Sequence, residues 1–463
     1  MGAPANRADG LPYDTSRASR RAPLYLALAD AIERDIRGGR LRPGDRLPTH
    51  RELADALALN VSTITRGYRE AEKRGLISGT VGRGTFVASD AATSSSMVSF
   101  EPGIPGMIEM GLIESLFRLD PDLTAGFRKL ARRRDPGALL RYSDPRGLPE
   151  HRQAGAQWAA RYGLDVGAEE VVVCAGAQHG LTCILSGLLR PGDRLATDRL
   201  TYPGLKTLAS MLGIRVAPIA MDEHGMLPAA LDAACRRDRI KAAYLMPGVH
   251  NPTTATMPDA RRDEIARLAE RHDLLVVEAD ASDLTRPGRR TPVAARVPER
   301  AVYVAGLSKS LAAGLRVAFL VAPKHFLNPL AQAVLNTVWM APPLNAELAA
   351  MWIKDGTADR VVAAKRDEAA RRYALAGRIL AGHEYRGLPT GFFLWLHLPR
   401  PWTGTTFEAA ARRAGIGVFA AEKFAVGETV APAAVRVSLT GAADPDEMRR
   451  GLETVAGLLR AAP

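Results

Sequence analysis

The chain has 463 residues, of which 47% are hydrophobic and 24% charged, and its formal net charge at pH 7 is +12. This length exceeds one ordinary hydrophobic core, so we expect two or three domains of a soluble globular protein. The positive charge favours a polyanionic partner. The three cysteines, Cys174, Cys183 and Cys235, lack metal-ligand spacing and indicate reduced, buried thiols of a cytoplasmic protein. No apolar run is long enough to span a membrane, and the polar, arginine-rich residues 1–22 are predicted to be a flexible tail rather than a signal peptide.

Residues 23–88 are predicted to form a small domain of helices followed by a pair of strands. Apolar residues recur at helical spacing from Pro23 onwards, and a pair of glycines ends this first helix. Residues 41–48 are predicted to be a turn. Thr49 then caps a second helix, and Glu52 three residues later completes a capping box.

A third helix is predicted from Val61 to a stop at Gly75, and residues 76–87 are predicted to form two short strands around a glycine turn, which is a wing. Two short helices joined by a tight turn can place the second helix in the major groove of DNA. Side chains in and around that helix are placed to contact bases or phosphates, and these are Arg51, Asn60, Ser62, Thr63, Thr65, Arg66 and Arg83. The alternative is a small helical oligomerisation module with solvated arginines.

The pattern LxPGxxLPxxRELA over residues 41–54 and the pattern GRGTFV over residues 82–87 resemble the winged helix-turn-helix domain of GntR-type regulators. The resemblance implies that the domain reads double-stranded DNA through Arg51, the start of the third helix and the wing. Val61 stands where many members have an arginine. The sequence preference of those members therefore does not carry over.

Residues 89–105, which contain three consecutive serines, are predicted to be a linker to a second domain over 106–463, with a large part at about 135–345 and a small part at about 346–463. Short apolar runs alternate there with helical stretches, which indicates buried strands of a mostly parallel sheet and an α/β fold class. The runs begin at Glu170, Arg194, Ala242, Leu274 and Ala301. Ligands of such sheets bind at the carboxyl ends of the strands.

The most informative segment extends from Val302 to Pro323. It delivers Lys309 after a serine at the end of a predicted strand, and Arg316 follows seven residues later beyond a glycine. A lysine at the mouth of a strand can form a Schiff base with an aldehyde, and a nearby arginine can hold a phosphate. This pairing suits pyridoxal phosphate as a cofactor.

Other candidate residues follow the predicted strands. Gly176, Ala177 and Gln178 enter a helix whose amides can bind a phosphate, although a plain strand-to-helix turn has the same sequence. Tyr202 can stack on a pyridine ring, although burial in the core is the commoner reason for such a tyrosine. Asn251 can donate to a phenolate oxygen, although Asn-Pro is also a common turn.

Two more residues complete the set. Tyr142 fits a second phosphate donor, and Arg436 is a lone arginine within a predicted short strand, where a free carboxylate is a fitting partner. In this order, the candidate residues and the segment from Val302 to Pro323 resemble fold-type-I aminotransferases across nearly all of residues 100–463. A GntR-type reader followed by this fold is typical of the MocR subfamily of bacterial regulators, which the chain resembles in both halves.

The resemblance to aminotransferases implies how the cofactor is held. It places pyridoxal 5′-phosphate on Lys309 and its phosphate against Arg316 and the turn at residues 176–178. It places the cofactor ring against Tyr202 and the cofactor O3′ beside Asn251.

The resemblance also implies how the domain meets its ligand. Arg436 holds the carboxylate of a substrate or effector. Tyr142 reaches the phosphate bound by the partner subunit of a homodimer. If the domain is a sensor, an amine or amino acid would displace Lys309 from the cofactor and shift the domain arrangement.

One segment departs from the aminotransferase pattern. Relatives usually read EDDxY where this chain has Ala279 and Ser282 in place of the aspartate against the pyridine nitrogen and the tyrosine near O3′. Asp280 is adjacent, but a one-residue offset in a strand faces the other side unless the strand bulges. Gly306 also replaces a serine expected before the lysine. These losses concern catalysis more than cofactor capture, which favours a sensor.

Three hypotheses follow. The leading one is a DNA-binding transcription regulator whose aminotransferase-like domain binds pyridoxal phosphate and senses an amine or amino acid. The alternative is a working pyridoxal-phosphate-dependent aminotransferase with an added DNA-binding domain, which the missing aspartate and tyrosine disfavour. The third is a regulator that no longer binds the cofactor, which the retention of Lys309, Arg316, Asn251 and Tyr202 disfavours.

Overall fold

The computed structural model describes residues 23–37, 40–41, 45–74, 76–80, 84–87, 106–279 and 290–461. The chain divides into two compact units, Met1–Glu101 with Ala425–Val430 and Pro102–Phe424 with Ala431–Pro463. Among the described helices, none is both long enough and apolar enough to cross a membrane.

The first unit contains, in its described residues, three helices and a small antiparallel sheet. These elements are α1 (Leu24–Arg37), β1 (Arg46–Leu47), α2 (His50–Leu57), α3 (Val61–Lys73), β2 (Ile77–Thr80) and β3 (Gly84–Val87). The predicted helices and the two wing strands are confirmed. Strand β1 corrects the prediction of a turn over residues 41–48, because Arg46 and Leu47 pair with Phe86 and Thr85 of β3. Such a long-range pairing leaves no local signal in the sequence.

An apolar core fixes α2 against α3. Leu28 of α1, Leu53 of α2 and Ile64 of α3 are all fully buried in it. At the start of α2, the hydroxyl of Thr49 accepts the backbone N–H of Glu52 at 3.3 Å, and the carboxylate of Glu52 accepts the backbone N–H of Thr49 at 2.8 Å. The predicted capping box is therefore confirmed.

The second unit alternates strands and helices. Its strands are β4 (Ile108–Glu109), β5 (Val171–Cys174), β6 (Arg194–Asp198), β7 (Arg215–Ile219), β8 (Met221–Asp222), β9 (Gly225–Met226), β10 (Ile240–Leu245), β11 (Leu275–Ala279), β12 (Ala301–Gly306), β13 (Ala318–Val321), β14 (Tyr385–Gly387), β15 (Phe393–His397), β16 (Ile416–Gly417), β17 (Phe419–Ala420) and β18 (Ala434–Ser438). Its helices are α4 (Leu123–Leu130), α5 (Pro149–Ala159), α6 (Ala177–Leu188), α7 (Pro203–Met211), α8 (Pro228–Arg237), α9 (Asp259–Arg271), α10 (Val293–Arg296), α11 (Lys324–Val338), α12 (Pro343–Lys354), α13 (Thr357–Ile379), α14 (Gly404–Arg413) and α15 (Pro445–Arg460).

Seven strands form the main sheet, in the order β5-β13-β12-β11-β10-β6-β7. Strand β13 is antiparallel to its two neighbours, and the other neighbouring pairs are parallel. Along β5, Val171 and Val173 pack into one apolar core, and Val172 and Cys174 pack into the other. Burial of both faces explains why these strands read as continuous apolar runs. The predicted α/β class with a mostly parallel sheet is confirmed.

The carboxyl ends of β5, β6, β10, β11 and β12 meet at one edge of the sheet because these strands run in the same direction. Gly176 follows β5, Tyr202 follows β6, Asn251 follows β10 and Lys309 follows β12. A second sheet, in the order β14-β15-β18-β17, carries Arg436 in the middle of β18. The topology thus gathers residues that are far apart in the sequence.

Candidate functional site

Lys309 lies three residues beyond the end of β12. Its side chain is largely buried, and Nζ donates a hydrogen bond to the backbone carbonyl of Ile113. Burial lowers the pKa of Lys309 from 10.5 to about 8, although the carboxylate of Glu114 opposes the shift. The positive charges of Arg436 and Arg316 lower this pKa further. A larger fraction of the lysine is therefore a free, nucleophilic amine near neutral pH than for an exposed lysine.

Gly176 and Arg316 form a corner beside the lysine. Gly176 has a φ of +89°, and a Cβ atom there would collide with a terminal nitrogen of Arg316. The Arg316 guanidinium donates to the Ser308 hydroxyl at 3.2 Å and to the Ala313 carbonyl at 3.3 Å. The first amides of α6, which begins at Ala177, are at the same corner. Helix amides, a hydroxyl and a guanidinium together suit a phosphate.

The side chains of Gln178 and Tyr202 both lie against Gly204, near the start of α7. The Gln178 side-chain amide donates to the carbonyl of Gly204 at 3.0 Å. A Cβ atom at Gly204 would collide with the Tyr202 ring, so only glycine allows this packing. Burial raises the pKa of Tyr202, and its phenol therefore stays protonated.

Ala279 is the last residue of β11. Its side chain packs on the same core as Tyr202, whereas the buried Glu278 carboxylate accepts the backbone N–H of Ala294 at 2.7 Å. The position expected to hold an acid on the Tyr202 side of the strand is therefore a methyl group. Asp280 and Ser282 lie outside the described residues.

Arg436 is buried, with 4% of its surface exposed. Its guanidinium donates to the side-chain oxygen of Asn251 at 2.7 Å and to the carbonyl of Gly111 at 2.6 Å. The rings of three phenylalanines lie 4.9 to 5.8 Å from the guanidinium carbon, namely Phe393, Phe419 and Phe424. Burial lowers the pKa of Arg436 to about 9. In the described part of the chain no carboxylate forms an ion pair with it, and its Nε has no hydrogen-bond partner.

One backbone segment contacts both Lys309 and Arg436. We call residues 109–116 the strap. The carbonyl of Gly111 accepts from Arg436, and the carbonyl of Ile113 accepts from Lys309. The carboxylate of Glu109 fixes the strap by accepting the backbone N–H groups of Gly111 at 2.5 Å and Leu112 at 2.8 Å. No sequence pattern indicates the strap, because every residue has a backbone carbonyl.

The sequence also did not indicate several charged side chains behind the site. The fully buried Lys365 ammonium donates to Asp120 at 2.6 Å and to the carbonyl of Leu311, two residues after Lys309, at 2.7 Å. Asp198 lies at the carboxyl end of β6, 3.6 Å from the ring of His250. Burial raises the pKa of Asp198 to about 7 and lowers that of His250 to about 4. No sequence pattern distinguishes these residues from solvated surface charges.

Tyr142 does not join the other candidate residues within one chain. It is 80% exposed, and its ring lies 5.3 Å from that of Trp339, which is 52% exposed. The neighbouring Leu140 is 82% exposed. These side chains form an exposed apolar patch.

In the first unit, Arg51, Asn60 and Ser62 are exposed, and Thr63 is half-buried. Arg83 lies outside the described residues.

Two of the predicted DNA contacts are partly engaged within the first unit. The Arg66 guanidinium lies 4.1 Å above the ring of Tyr25. The Thr65 hydroxyl donates to the carbonyl of Val61 at 2.9 Å and lies 3.2 Å from Nδ1 of His50.

The chain is similar to two protein families. Residues 115–455 match the family described as "Aminotransferase class I and II". Residues 24–87 match the family described as "Bacterial regulatory proteins, gntR family". The two matches follow each other in the order that the sequence motifs predict.

The chain is also similar to individual proteins. It is 36% identical over 437 residues to the uncharacterized HTH-type transcriptional regulator YdeF of Bacillus subtilis (strain 168), covering 94% of each chain. It superimposes on an archaeal alanine:glyoxylate aminotransferase with a TM-score of 0.72 and 21% identity, covering 86% of this chain and 100% of that one. It superimposes on LysN, the α-aminoadipate aminotransferase of Thermus thermophilus, with a TM-score of 0.71 and 24% identity, covering 80% of this chain and 96% of that one. The predicted aminotransferase-like fold is confirmed.

Proposed function

We propose that this DNA-binding transcription regulator senses an amino acid through pyridoxal phosphate. The proposal starts from the family: the chain belongs to the aminotransferase class I and II family and to the HTH-type transcriptional regulators that begin with a GntR-type domain. Its architecture is of the MocR type. Pyridoxal phosphate is the cofactor of aminotransferases of this fold.

The residues around Lys309 fit that cofactor. When bound, pyridoxal phosphate supplies an aldehyde that condenses with amines and a ring that withdraws electrons. Lys309 offers a partly deprotonated amine, and the corner of Gly176 and Arg316 offers space and positive charge for a phosphate. The methyl group of Ala279 cannot hold a proton beside the ring nitrogen. The site therefore supports capture of the cofactor better than its use in catalysis.

The observation that carries the proposal is the environment of Arg436. Its buried guanidinium has neutral hydrogen-bond partners, the side chain of Asn251 and the carbonyl of Gly111. A buried charge with neutral partners is costly, and a ligand carboxylate would supply the opposite charge. The amino group of the same ligand would take the position of the Lys309 amine. We infer that the effector is an amino acid rather than a simple amine.

Ligand binding would act on the DNA-binding domain through the strap. A carboxylate at Arg436 competes with the carbonyl of Gly111, and Lys309 released from the cofactor regains the free amine that donates to the carbonyl of Ile113. The strap follows the linker predicted over residues 89–105. Displacement of the strap would therefore change the tether of the domain that reads DNA.

We further propose that the protein acts as a homodimer in the bacterial cytoplasm, where the chromosome lies. The exposed apolar patch of Leu140, Tyr142 and Trp339 supports a subunit interface, in which Tyr142 would reach the partner's phosphate. Two copies of the amino-terminal domain would then bind two half-sites of an operator.

The test combines cofactor loading with ligand titration. Wild-type protein should show visible absorption after addition of pyridoxal phosphate, and borohydride should fix the cofactor mass on Lys309. Lys309→Ala should lose both signals, with Lys324→Ala, on the surface of α11, as the matched control. An unchanged spectrum in Lys309→Ala would refute the assignment.

A weak aminotransferase activity is the second candidate. The lowered pKa of Lys309 favours it, because the free amine can also transfer protons. Ala279 opposes it, because a methyl group cannot hold a proton beside the ring nitrogen. Turnover of an amino acid with a keto-acid acceptor at about 1 s⁻¹ or more, the lower range of ordinary enzymes, would favour the enzyme over the sensor.

A further inference from the structure

Two cysteines and a histidine lie directly behind the Gly176 turn. Cys174 is the last residue of β5, and His179 and Cys183 lie one helical turn apart on α6. The two Sγ atoms and a ring nitrogen of His179 lie within 4.8 Å of one another. Both cysteines are fully buried, and both are free thiols. This cluster takes no part in the function proposed above.

The hydrogen bonds of His179 locate its proton. The backbone N–H of Ala175 donates to Nδ1 at 3.0 Å, so a neutral ring carries its proton on Nε2. Nε2 lies 2.7 Å from the Thr337 hydroxyl oxygen and 3.3 Å from Sγ of Cys183. The Thr337 hydroxyl donates its own hydrogen to the carbonyl of Ala333 at 2.7 Å. The Nε2–H group is therefore a donor that both Thr337 and Cys183 can accept, and the ring has no lone pair to offer a metal ion.

The sulfur of Cys174 also stabilises the thiolate form of Cys183. A hydrogen bond with the Cys174 thiol and the contact with His179 together lower the pKa of Cys183 to about 6, although burial opposes them. The same pairing, together with burial, raises the pKa of Cys174. Cys235 differs, because it is half-buried and burial raises its pKa to about 11. Cys183 is thus the nucleophile and Cys174 the thiol beside it.

We propose that Cys183 and Cys174 are a redox pair that closes into a disulfide on reaction with hydrogen peroxide. The Cys183 thiolate attacks one peroxide oxygen, so that an S–O bond forms, the O–O bond breaks, and the departing hydroxide takes a proton to become water. The Cys174 sulfur then attacks the Cys183 sulfur, so that an S–S bond forms and the S–O bond breaks. The hydroxyl leaves as a second water with the Cys174 proton. Two thiols are oxidised while one peroxide is reduced to two waters.

Burial of the pair determines which oxidants reach it. In the single chain Thr337 is exposed, His179 is half-buried, and Nε2 of His179 contacts Sγ of Cys183. We expect a molecule of the size of hydrogen peroxide to reach the sulfurs by small local motions and a bulky aromatic thiol reagent to be excluded. The sulfurs must approach from within 4.8 Å to a bond length of about 2.05 Å, which requires a short movement of α6 against β5.

Movement of α6 against β5 would displace the turn at residues 176–178, where the proposed function places the cofactor phosphate. This consequence therefore rests on the proposed function. The backbone N–H of Gly176 donates to the carbonyl of Cys174 at 2.8 Å, and the N–H of Ala175 donates to His179. Cys174 and His179 therefore position the backbone N–H groups of Gly176 and Ala175. We expect the oxidised protein to bind pyridoxal phosphate about tenfold more weakly, because misplacement of a binding turn by a fraction of an ångström is costly.

The experiment uses the full chain. Protein treated with hydrogen peroxide is denatured and alkylated, and its intact mass is measured before and after addition of dithiothreitol. We expect two of the three thiols to be lost and then restored, with peptide mapping joining Cys174 to Cys183. Cys183→Ser should abolish the crosslink, and Cys183→Ala serves if serine disturbs folding. Cys235→Ser is the matched control and should form the crosslink normally.

The outcomes separate this proposal from the proposed function. Retention of three thiols, or a crosslink through Cys235, would refute the redox pair. Binding of one Zn²⁺ per chain that is lost in Cys183→Ser would show a metal site instead. Titration of reduced and oxidised protein with pyridoxal phosphate tests the coupling, and equal affinities would refute it. If the reduced protein does not bind the cofactor while the crosslink forms, only the proposed function fails.

Discussion

Arg436→Met tests whether the site selects a carboxylate. Methionine fills the space among the three phenylalanine rings but removes the charge. In the free protein, Arg436 donates to two neutral oxygens, on Asn251 and Gly111. Each bond from the charged guanidinium contributes about 2 kcal/mol, so a carboxylate that exchanges one of these bonds for two gains about 2 kcal/mol. The variant should therefore bind an amino acid roughly 30-fold more weakly.

The assay is a spectroscopic titration with an amino acid and with the amine of the same carbon skeleton that lacks the carboxylate. Arg436→Met should lose affinity for the amino acid, while its affinity for the amine should stay within about twofold of wild type. Cofactor absorption serves as the control for an intact Lys309 site. Equal weakening of both ligands would show that Arg436 acts only on the shape of the site. Unchanged binding of the amino acid would show that the carboxylate binds elsewhere.

Three further predictions concern the cofactor, catalysis and DNA. The rate at which Lys309 captures pyridoxal phosphate should rise with pH around a midpoint near 8, because burial and the nearby arginines lower the pKa of Lys309 and only the unprotonated amine reacts. Stopped-flow absorption measures this rate, and a midpoint near 10.5 would contradict the prediction. Ala279→Asp should raise keto-acid formation above wild type, measured by a coupled assay, and Ala279→Asn should not. Arg51→Ala should weaken operator binding and reduce the salt dependence by about one phosphate contact in fluorescence anisotropy. Arg34→Ala, exposed on α1, is the control, and an equal effect there would argue against a specific contact by Arg51.

The elements that the sequence predicted are those with local signals. The strand before Gly176 is buried on both faces, so it reads as an apolar run, and the capping box of Thr49 and Glu52 lies within four residues. The order of candidate residues along the chain was also informative, because parallel strands bring their carboxyl ends together. The sequence therefore predicted which loops meet, and in the structure the charges of Arg436 and Arg316 act on Lys309.

The interactions that the sequence did not predict join residues that are far apart in the chain, through groups that belong to no recognisable sequence motif. Lys365 and Asp120 are 245 residues apart, and the fully buried lysine contacts the half-buried aspartate. The strap contacts the site through the backbone carbonyls of Gly111 and Ile113, which any residue would provide. Cys174 and Cys183 have no recognised spacing, because a strand end and a helix bring them together. Only the three-dimensional structure identifies these pairs.

The strap also suggests why the regulator should respond to amino acids more strongly than to amines. A ligand shifts a conformational equilibrium only by the difference in its affinity for the two states. An amine that displaces Lys309 from the cofactor would change the contact with Ile113 alone, whereas an amino acid would also compete with Gly111 for Arg436. The second contact adds to the difference between the states. An amine that occupies the site without changing operator affinity would therefore place the switch at Gly111 rather than at Ile113.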